Sequence, residues 1–316
     1  MTKLDSNTVP SPARSTNDVG PSINLGLSYA IGAYFIWGLV PLFWKQLAYV
    51  NSIELVVHRM LWSFVFVAAY VLLRQDWKVL FGYFKDKVLI RRLAAASILF
   101  SANAAIFIWA VNSGHLIETS MGYFINPLFN VTLGVIIFGE RLRPLQLLAI
   151  SSAAAGVLYY VFAFGAVPII ALSLALTFSV YGAFKKSISI PAVHGMAIET
   201  SFVLIPCLMY LGFLEWQGVG VFGNDLKTDV MLALGGFITL MPLLLFASAA
   251  KIISMTALGI TQYIGPSLQL LIGVFIYNEF FGQPQRIAFV GIWIGVLIYT
   301  IDNVRHGRQR RRLPPI

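Results

Sequence analysis

Apolar residues in this chain come in long unbroken runs, without the two-residue rhythm of a half-buried strand or the narrow stripe of a soluble helix. Ten such runs fall at 25–44, 53–73, 93–112, 118–138, 145–163, 168–185, 194–214, 229–249, 256–277 and 286–302. Runs of about 18–22 residues are long enough to cross a hydrocarbon core of about 30 Å as helices. A helix satisfies its own backbone hydrogen bonds, which lipid cannot do. The pattern therefore predicts an all-α membrane protein with ten transmembrane helices. Most linkers are a few residues long, so successive helices are expected to be antiparallel neighbours. The two longer linkers, 74–92 and 215–228, carry no apolar run and are too short for domains. Residues 1–24 are polar, with Pro10, Pro12 and Pro21, and lack the apolar core of a signal peptide. They predict a disordered tail, and 303–316 form a second, basic tail.

The runs repeat. Residues 103–140 lie on 242–279 without a gap, at a constant offset of 139. Phe107 falls on Phe246, Ala110 on Ala249, Pro127 on Pro266, Gly134 on Gly273 and Glu140 on Glu279. Shared apolarity explains matching Ile and Ala, but not matching Pro, Gly and Glu. Trp37-Gly38 and Tyr181-Gly182 pair the first helix of each copy. The unit is thus five helices, 25–163 and then 168–302. An odd unit enters the membrane from the opposite face in its second copy. This predicts two inverted five-helix repeats about a pseudo-two-fold axis in the membrane plane, an architecture that supplies alternating access.

Composition agrees: 58% of residues are hydrophobic and 11% charged, where a soluble domain carries about 25% charge. The net charge of +9 is distributed by side of the membrane. With the N-terminus inside, 18 of the 22 Lys and Arg face the cytoplasm. Only Lys45, Lys227 and Arg286 lie outside, and Arg59 lies within a run. This bias predicts cytoplasmic termini and removes the need for a nucleic-acid partner. The basic C-terminal end is expected to sit on anionic membrane lipid. The single Cys207 excludes an intrachain disulfide and any multi-cysteine metal site. His115 and His194 are lone residues at run ends, so no metal and no cofactor is expected.

Polar groups inside a bilayer are costly unless paired or hydrated, so they mark candidate pathways. The second run holds Glu54, His58, Arg59 and Trp62, the first two and the last on one face at i,i+4 spacing. One reading is a charged patch, with Arg59 pairing a substrate carboxylate or Glu54 and His58 titrating near neutral pH. The other has Glu54 capping the outer helix end and Arg59 snorkelling from about 9 Å inside. The fourth run aligns Tyr123, Asn126 and Asn130, and Pro127 frees the Tyr123 carbonyl. The ninth does the same at Pro266 and Gln262, beside Tyr263 and Gln269. Proline-interrupted helices at matching positions of two halves point to a central site. The alternative is a kink that eases packing, with the amides bonding helix to helix. Asn103, Trp109 and Asn112, Tyr34 and Trp37, Tyr181, and Glu199 complete the candidate set for substrate binding. Pro41 frees the Trp37 carbonyl, and the rings would suit a planar substrate. Trp44, Tyr49, Trp77, Tyr83 and Trp216 read as interfacial belt residues. Glu199 reads either as a proton-coupling carboxylate or as a half-buried cap. Glu140 and Glu279, at helix ends, read as structural groups that bond donors in neighbouring helices or loops.

The runs AYFIWGLVPLFWK, VHRMLWSF, FIWAVNSGHLIETSMGYFINPL, FGERLRPLQ, FGAVPIIALSLALTFSVYG and QYIGP resemble the RarD proteins, of the EamA group in the drug/metabolite transporter superfamily. The likeness extends over about residues 26–303. It implies ten helices in two inverted halves and a bacterial inner-membrane carrier. Substrates in the wider group include amino acids, other metabolites and drugs. No HExxH, Gly-Lys-Ser/Thr phosphate loop or repeated DxD pair is present. The leading expectation is a secondary transporter of a small organic metabolite or drug-like solute, amino-acid-like, anionic or zwitterionic, working as a monomer or homodimer. A non-transporting membrane binding or regulatory protein, and an intramembrane enzyme, are the alternatives.

Overall fold

A computed structural model describes residues 23–112, 116–165, 168–277 and 282–312. Every regular element among them is helical: α1 (Ile23–Trp44), α2 (Ser52–Leu73), α3 (Trp77–Tyr83), α4 (Lys87–Asn112), α5 (Leu116–Phe138), α6 (Pro144–Phe164), α7 (Ile169–Ser187), α8 (Ala192–Gln217), α9 (Leu226–Ile252), α10 (Met255–Gln262), α11 (Ile264–Phe275) and α12 (Gln283–Arg312). Nine segments among the described residues are long and apolar enough to cross a membrane, with α10 and α11 joined as one. Helix α12 adds a further 30 residues.

Local chemistry sets the helix starts. The side chain of Asn51 accepts from Ile53 N at the head of α2. Asp225 accepts from the N–H and the hydroxyl of Thr228 at the head of α9. Those bonds, with the Thr228 N–H first, hold the Asp225 carboxyl below its ordinary range. Pro144 opens α6, where its missing N–H costs nothing. Gly165 and Gly218, at φ 79° and 68°, take the left-handed turn that ends α6 and α8.

Three features differ from the expectation. The linker 74–92 contains α3, a seven-residue helix too short for a run-length criterion, whose Leu80 packs with Leu89, Leu93 and Ile198. Helix α12 continues past 302 to Arg312, because Arg and Gln are good helix formers outside lipid as well. Of the two proline-bearing helices, only the second is interrupted. Pro266 lies in the first turn of α11, after a break at Tyr263, whereas α5 runs unbroken through Pro127. A first-turn proline removes no helical bond, so a break just before it is the low-energy solution. Glu279 and His115 lie outside the described residues.

The bundle packs through small residues. Helix α6 lies against α12 and runs antiparallel to it: Ala149 faces Gly295, Ser152 faces Gly291 and Gly156 faces Ala288. The Ser152 hydroxyl donates to Gly291 O at 2.9 Å. Arg143, just before α6, pairs with buried Asp302 of α12 at 2.7 Å. The glycine pair of α12 is spaced as a small-xxx-small motif, which lets two backbones touch where no hydrophobic effect drives helices together. Helices α5 and α10 are also antiparallel, with Glu140 meeting Met255 and Phe124 meeting Tyr263. Elsewhere α1 packs on α9, α10 and α11, α2 on α8 and α9, α4 on α7 and α8, and α5 on α7.

Glu140 has the structural role expected of it. Its carboxylate accepts from Met255 N at 2.6 Å, Thr256 N at 3.0 Å and the Thr256 hydroxyl at 2.7 Å. It therefore caps the positive end of α10 from the end of α5.

A Cβ at Gly295 would stand 2.4 Å from Ala149 O, while one at Gly212 would meet nothing within 4 Å. The same substitution should have opposite signs at the two sites. Gly295→Ala should destabilise by about 1–3 kcal/mol, and Gly212→Ala should be neutral or stabilise by up to about 1 kcal/mol. Thermal unfolding in detergent compares them directly.

Candidate functional site

Helices α1, α2, α4, α5, α7, α9, α10 and α11 enclose a cavity of about 300 Å³. It draws on the first halves of α2 and α5 and the second halves of α1 and α4. It therefore lies towards the side of the bundle on which α2 and α5 begin. The walls are aromatic, from Trp37, Phe100, Phe107 and Phe178, with polar groups set between them.

Arg59 supplies the one formal charge among the described lining residues, and no Asp or Glu accompanies it. Its Nε is buried and has no hydrogen-bond partner among the described residues. Tyr123, on α5, is within electrostatic reach. A guanidinium without a carboxylate, in a low-dielectric chamber, favours an anion beside it.

The amides do two jobs. Asn126 Nδ2 donates to Ala175 O at 2.8 Å and to Ser179 Oγ at 3.0 Å. Asn130 Nδ2 donates to Asn126 Oδ1 at 3.3 Å and to Gln262 Oε1 at 2.8 Å. This chain ties α5 to α7 and α10. Asn103 Nδ2 donates to Leu174 O and Thr177 Oγ1, both at 2.9 Å, tying α4 to α7. Gln269 Nε2 donates to Trp37 O at 3.1 Å. That carbonyl is the one Pro41 leaves without a helical donor, so the bond missing from α1 is supplied from α11. The helix-bonding reading holds for Asn103, Asn126, Gln262 and Gln269, and all four also line the cavity.

On its inner side the cavity ends on rings. Trp37 and Phe178 lie 5.8 Å apart, and each is within 6 Å of Phe246. Tyr181 stacks parallel to Phe246 at 6.2 Å and 9°. Tyr34 is 6.3 Å from Phe246. Phe246, Tyr181 and Tyr34 are at most 2% exposed, so this layer is a dry floor.

Eight candidates line the cavity: Tyr34, Trp37, Arg59, Asn103, Tyr123, Asn126, Gln262 and Gln269. The others are elsewhere. Glu54 Oε1 accepts from Val221 N at 2.9 Å, and His58 and Trp62 meet the ring of Phe222 at 5.3 and 5.9 Å. The shared face of Glu54, His58 and Trp62 thus holds the loop after α8. Arg59, one position on and about 100° round the helix, turns to the cavity alone. Asn130 and Tyr263 are buried in helix contacts, the latter through its hydroxyl to Phe124 O. Tyr181 is part of the floor, and Glu199 lies beyond it, reached by the Tyr181 hydroxyl. Trp109 is 58% exposed on the outside of the bundle. The side chain of Asn112 lies outside the described residues. Trp44, read as a belt residue, instead lines the cavity, where its ring lies over Gly235 with no room for a Cβ. Phe100, Phe107, Phe178, Thr119 and Thr239 also line it and were not singled out. Phe100, Asn103 and Phe107 share a face of α4 at i, i+3, i+7, which was the available signal.

The EamA-like transporter family model matches residues 24–162. Protein RarD of Salmonella typhi is 39% identical over 286 residues, covering 90% of this chain and 97% of that protein. The chain belongs to the EamA-like transporter family. An uncharacterized transporter of Bacillus subtilis, YojE, is 40% identical over 293 residues, with 90% and 97% covered. A solved crystal structure shares the fold at a TM-score of 0.66 and 17% identity, covering 89% of this chain and 98% of that one. Family membership and the nine apolar segments make this an integral membrane protein.

Asn130 separates packing from lining, because it serves the amide chain without touching the cavity. Asn130→Leu leaves Asn126 Oδ1 and Gln262 Oε1 buried without their donor. It should cost about 1–3 kcal/mol, read as a lower melting temperature, with any solute that binds the cavity retaining its affinity.

Proposed function

We propose that this protein is a secondary carrier that moves a small organic solute bearing an anionic or zwitterionic head across the bacterial inner membrane by alternating access. The solute class includes amino-acid-like metabolites and drug-like compounds. The observation that carries this reading is the cavity: Arg59, whose buried Nε has no hydrogen-bond partner among the described residues and which no lining carboxylate accompanies, is surrounded by rings and amide groups, with stacked aromatics at one end. Arg59 would take the anionic head, Trp37, Phe100 and Phe178 the apolar body, and Asn126 and Gln262 its polar edges.

The architecture proposed for it is ten membrane helices in two inverted halves, α1, α2 and α4–α6 against α7–α12. Reciprocal contacts support this. Gly156 meets Ala288 and Gly295 meets Ala149, and each residue of the first pair is 139 positions from one of the second. Ser152 bonds Gly291, and Tyr263 bonds Phe124, both across 139 residues. Residues that touch their own repeat equivalents lie on a two-fold axis. The equivalent helices α6 and α12 run antiparallel, as an axis in the membrane plane requires. The lysine and arginine bias then places both termini in the cytoplasm and the cavity mouth on the periplasmic side. The basic end of the chain would lie on anionic lipid, and the working unit is a monomer or homodimer.

A thermal-shift screen of purified protein against a metabolite collection identifies the solute, and saturable, competed flux in liposomes tests transport. Binding without flux would replace the carrier by a membrane receptor. Arg59→Gln should weaken binding of an anionic solute by about 10- to 100-fold, the loss of one buried charged hydrogen bond. Unchanged affinity in that variant would remove the anion from the proposal.

A further inference from the structure

Beyond the aromatic floor lies a charge cluster that solute binding leaves unused. Lys185, in the last turn of α7, and Glu199, on α8, are 3% and 4% exposed. Lys185 Nζ meets Glu199 Oε1 at 2.7 Å. The Tyr181 hydroxyl donates to Glu199 Oε2 at 3.5 Å. The ring of that same Tyr181 is stacked on Phe246, which in turn touches Trp37 and Phe178 in the cavity wall. One side chain therefore belongs both to the barrier and to the carboxylate.

The other groups around Glu199 are accounted for. From α9, Lys251 is within electrostatic reach and donates its ammonium to Ile190 O. From α7, Lys186 donates to Ala250 O and Ile253 O and lies towards Glu140. From α4, Ser97 donates to the backbone carbonyl of Glu199. On α8 itself, Met196 Sδ lies 3.4 Å from Lys185 Nζ, and His194 faces Asp76 at 3.5 Å. Glu140 is committed to the head of α10.

A buried ion pair holds only while both partners are present, and removing one strands the other at a cost of several kcal/mol. Opening the cavity towards the side where α7 ends requires α7 and α8 to part at this level. Lys185 sits at a helix end and hydrates as the gap opens. Glu199, further inside α8, loses its counter-charge at the edge of that gap. A carboxylate in that position is neutralised by binding a proton.

We infer that Glu199 is a proton-binding site whose protonation is coupled to opening of the cavity towards the side on which α7 ends. The inference rests on the alternating-access reading. In the closed arrangement Glu199 is the carboxylate held by Lys185. In the open arrangement it carries a proton taken from water on the opened side, and that proton returns to water on reclosure. The open arrangement binds one more proton, so acid favours it and alkali favours closure.

The experiment uses the full chain in membrane vesicles with Cys207→Ser and Ala250→Cys. Ala250 is fully buried beside the cluster. Labelling by a membrane-impermeant maleimide, applied from the side where α7 ends, is followed against pH. It is normalised to Lys85→Cys, an exposed position that carries the ordinary pH dependence of thiol chemistry. The normalised rate should rise as pH falls, by up to about tenfold per unit, the limit for one linked proton. Glu199→Gln should abolish the slope. If that variant misfolds because Lys185 is left buried alone, the charge-neutral pair Glu199→Gln/Lys185→Met should fold and be equally flat. A slope that survives in the variant, or labelling that is flat in the parent, overturns the proton site and leaves alternating access standing. Ala250→Cys that is never labelled at any pH overturns alternating access and this inference with it.

Discussion

A hydrogen bond broken in lipid has no water to replace it, and the arrangement around the cavity follows from that constraint. Three prolines, Pro41, Pro127 and Pro266, lie in the helices that surround it, the last just after a break at Tyr263. A carbonyl left without its helical donor would be a liability in a lone helix. Here the Trp37 carbonyl takes its donor from Gln269, on a helix more than two hundred residues away in sequence. Asn126, Asn130 and Gln262 bond one another across α5, α7 and α10. The polar groups that line the chamber are therefore also among those that hold its walls together.

The elements were legible in the sequence because lipid enforces a simple rule. Apolar run length gave the long helices within a few residues at most of their ends, and among the described residues the α-helix overlooked was α3, which is too short to span. The 139-residue offset was visible because Pro, Gly and Glu recur at it, and of those residues Pro266 follows a helix break and Glu140 caps α10. The site was half legible. Polar residues within runs were easy to single out, but their direction round the helix was not. Glu54, His58 and Arg59 are close in sequence, yet the first two hold a loop and only the third faces the cavity. The aromatic lining was hidden because Phe100, Phe107 and Phe178 look the same in sequence whether they face lipid or a chamber. Trp44 was misplaced for a related reason. Its position at a helix end suits a belt residue, but Gly235 opposite makes a slot for the ring, and sequence spacing does not reveal that pairing.

Matching halves do not make matching chemistry. On the proposed inverted arrangement, α2 and α8 are equivalent helices, and each carries a buried glutamate, Glu54 and Glu199. Glu54 accepts a backbone N–H from Val221, whereas Glu199 holds the ammonium of Lys185. Separating the first contact exposes a neutral donor, which water serves readily. Separating the second leaves two unpaired charges. On that arrangement the two sides of the membrane would differ in what it costs to open them, although the helices that move would be related by a two-fold axis. A repeat with identical side chains would have two states of equal energy and no preferred resting side. On the proposed mechanism the divergence at Glu54 and Glu199 would give the molecule one, with the Lys185–Glu199 pair on the side where the lysines at the ends of α7 and α9 gather.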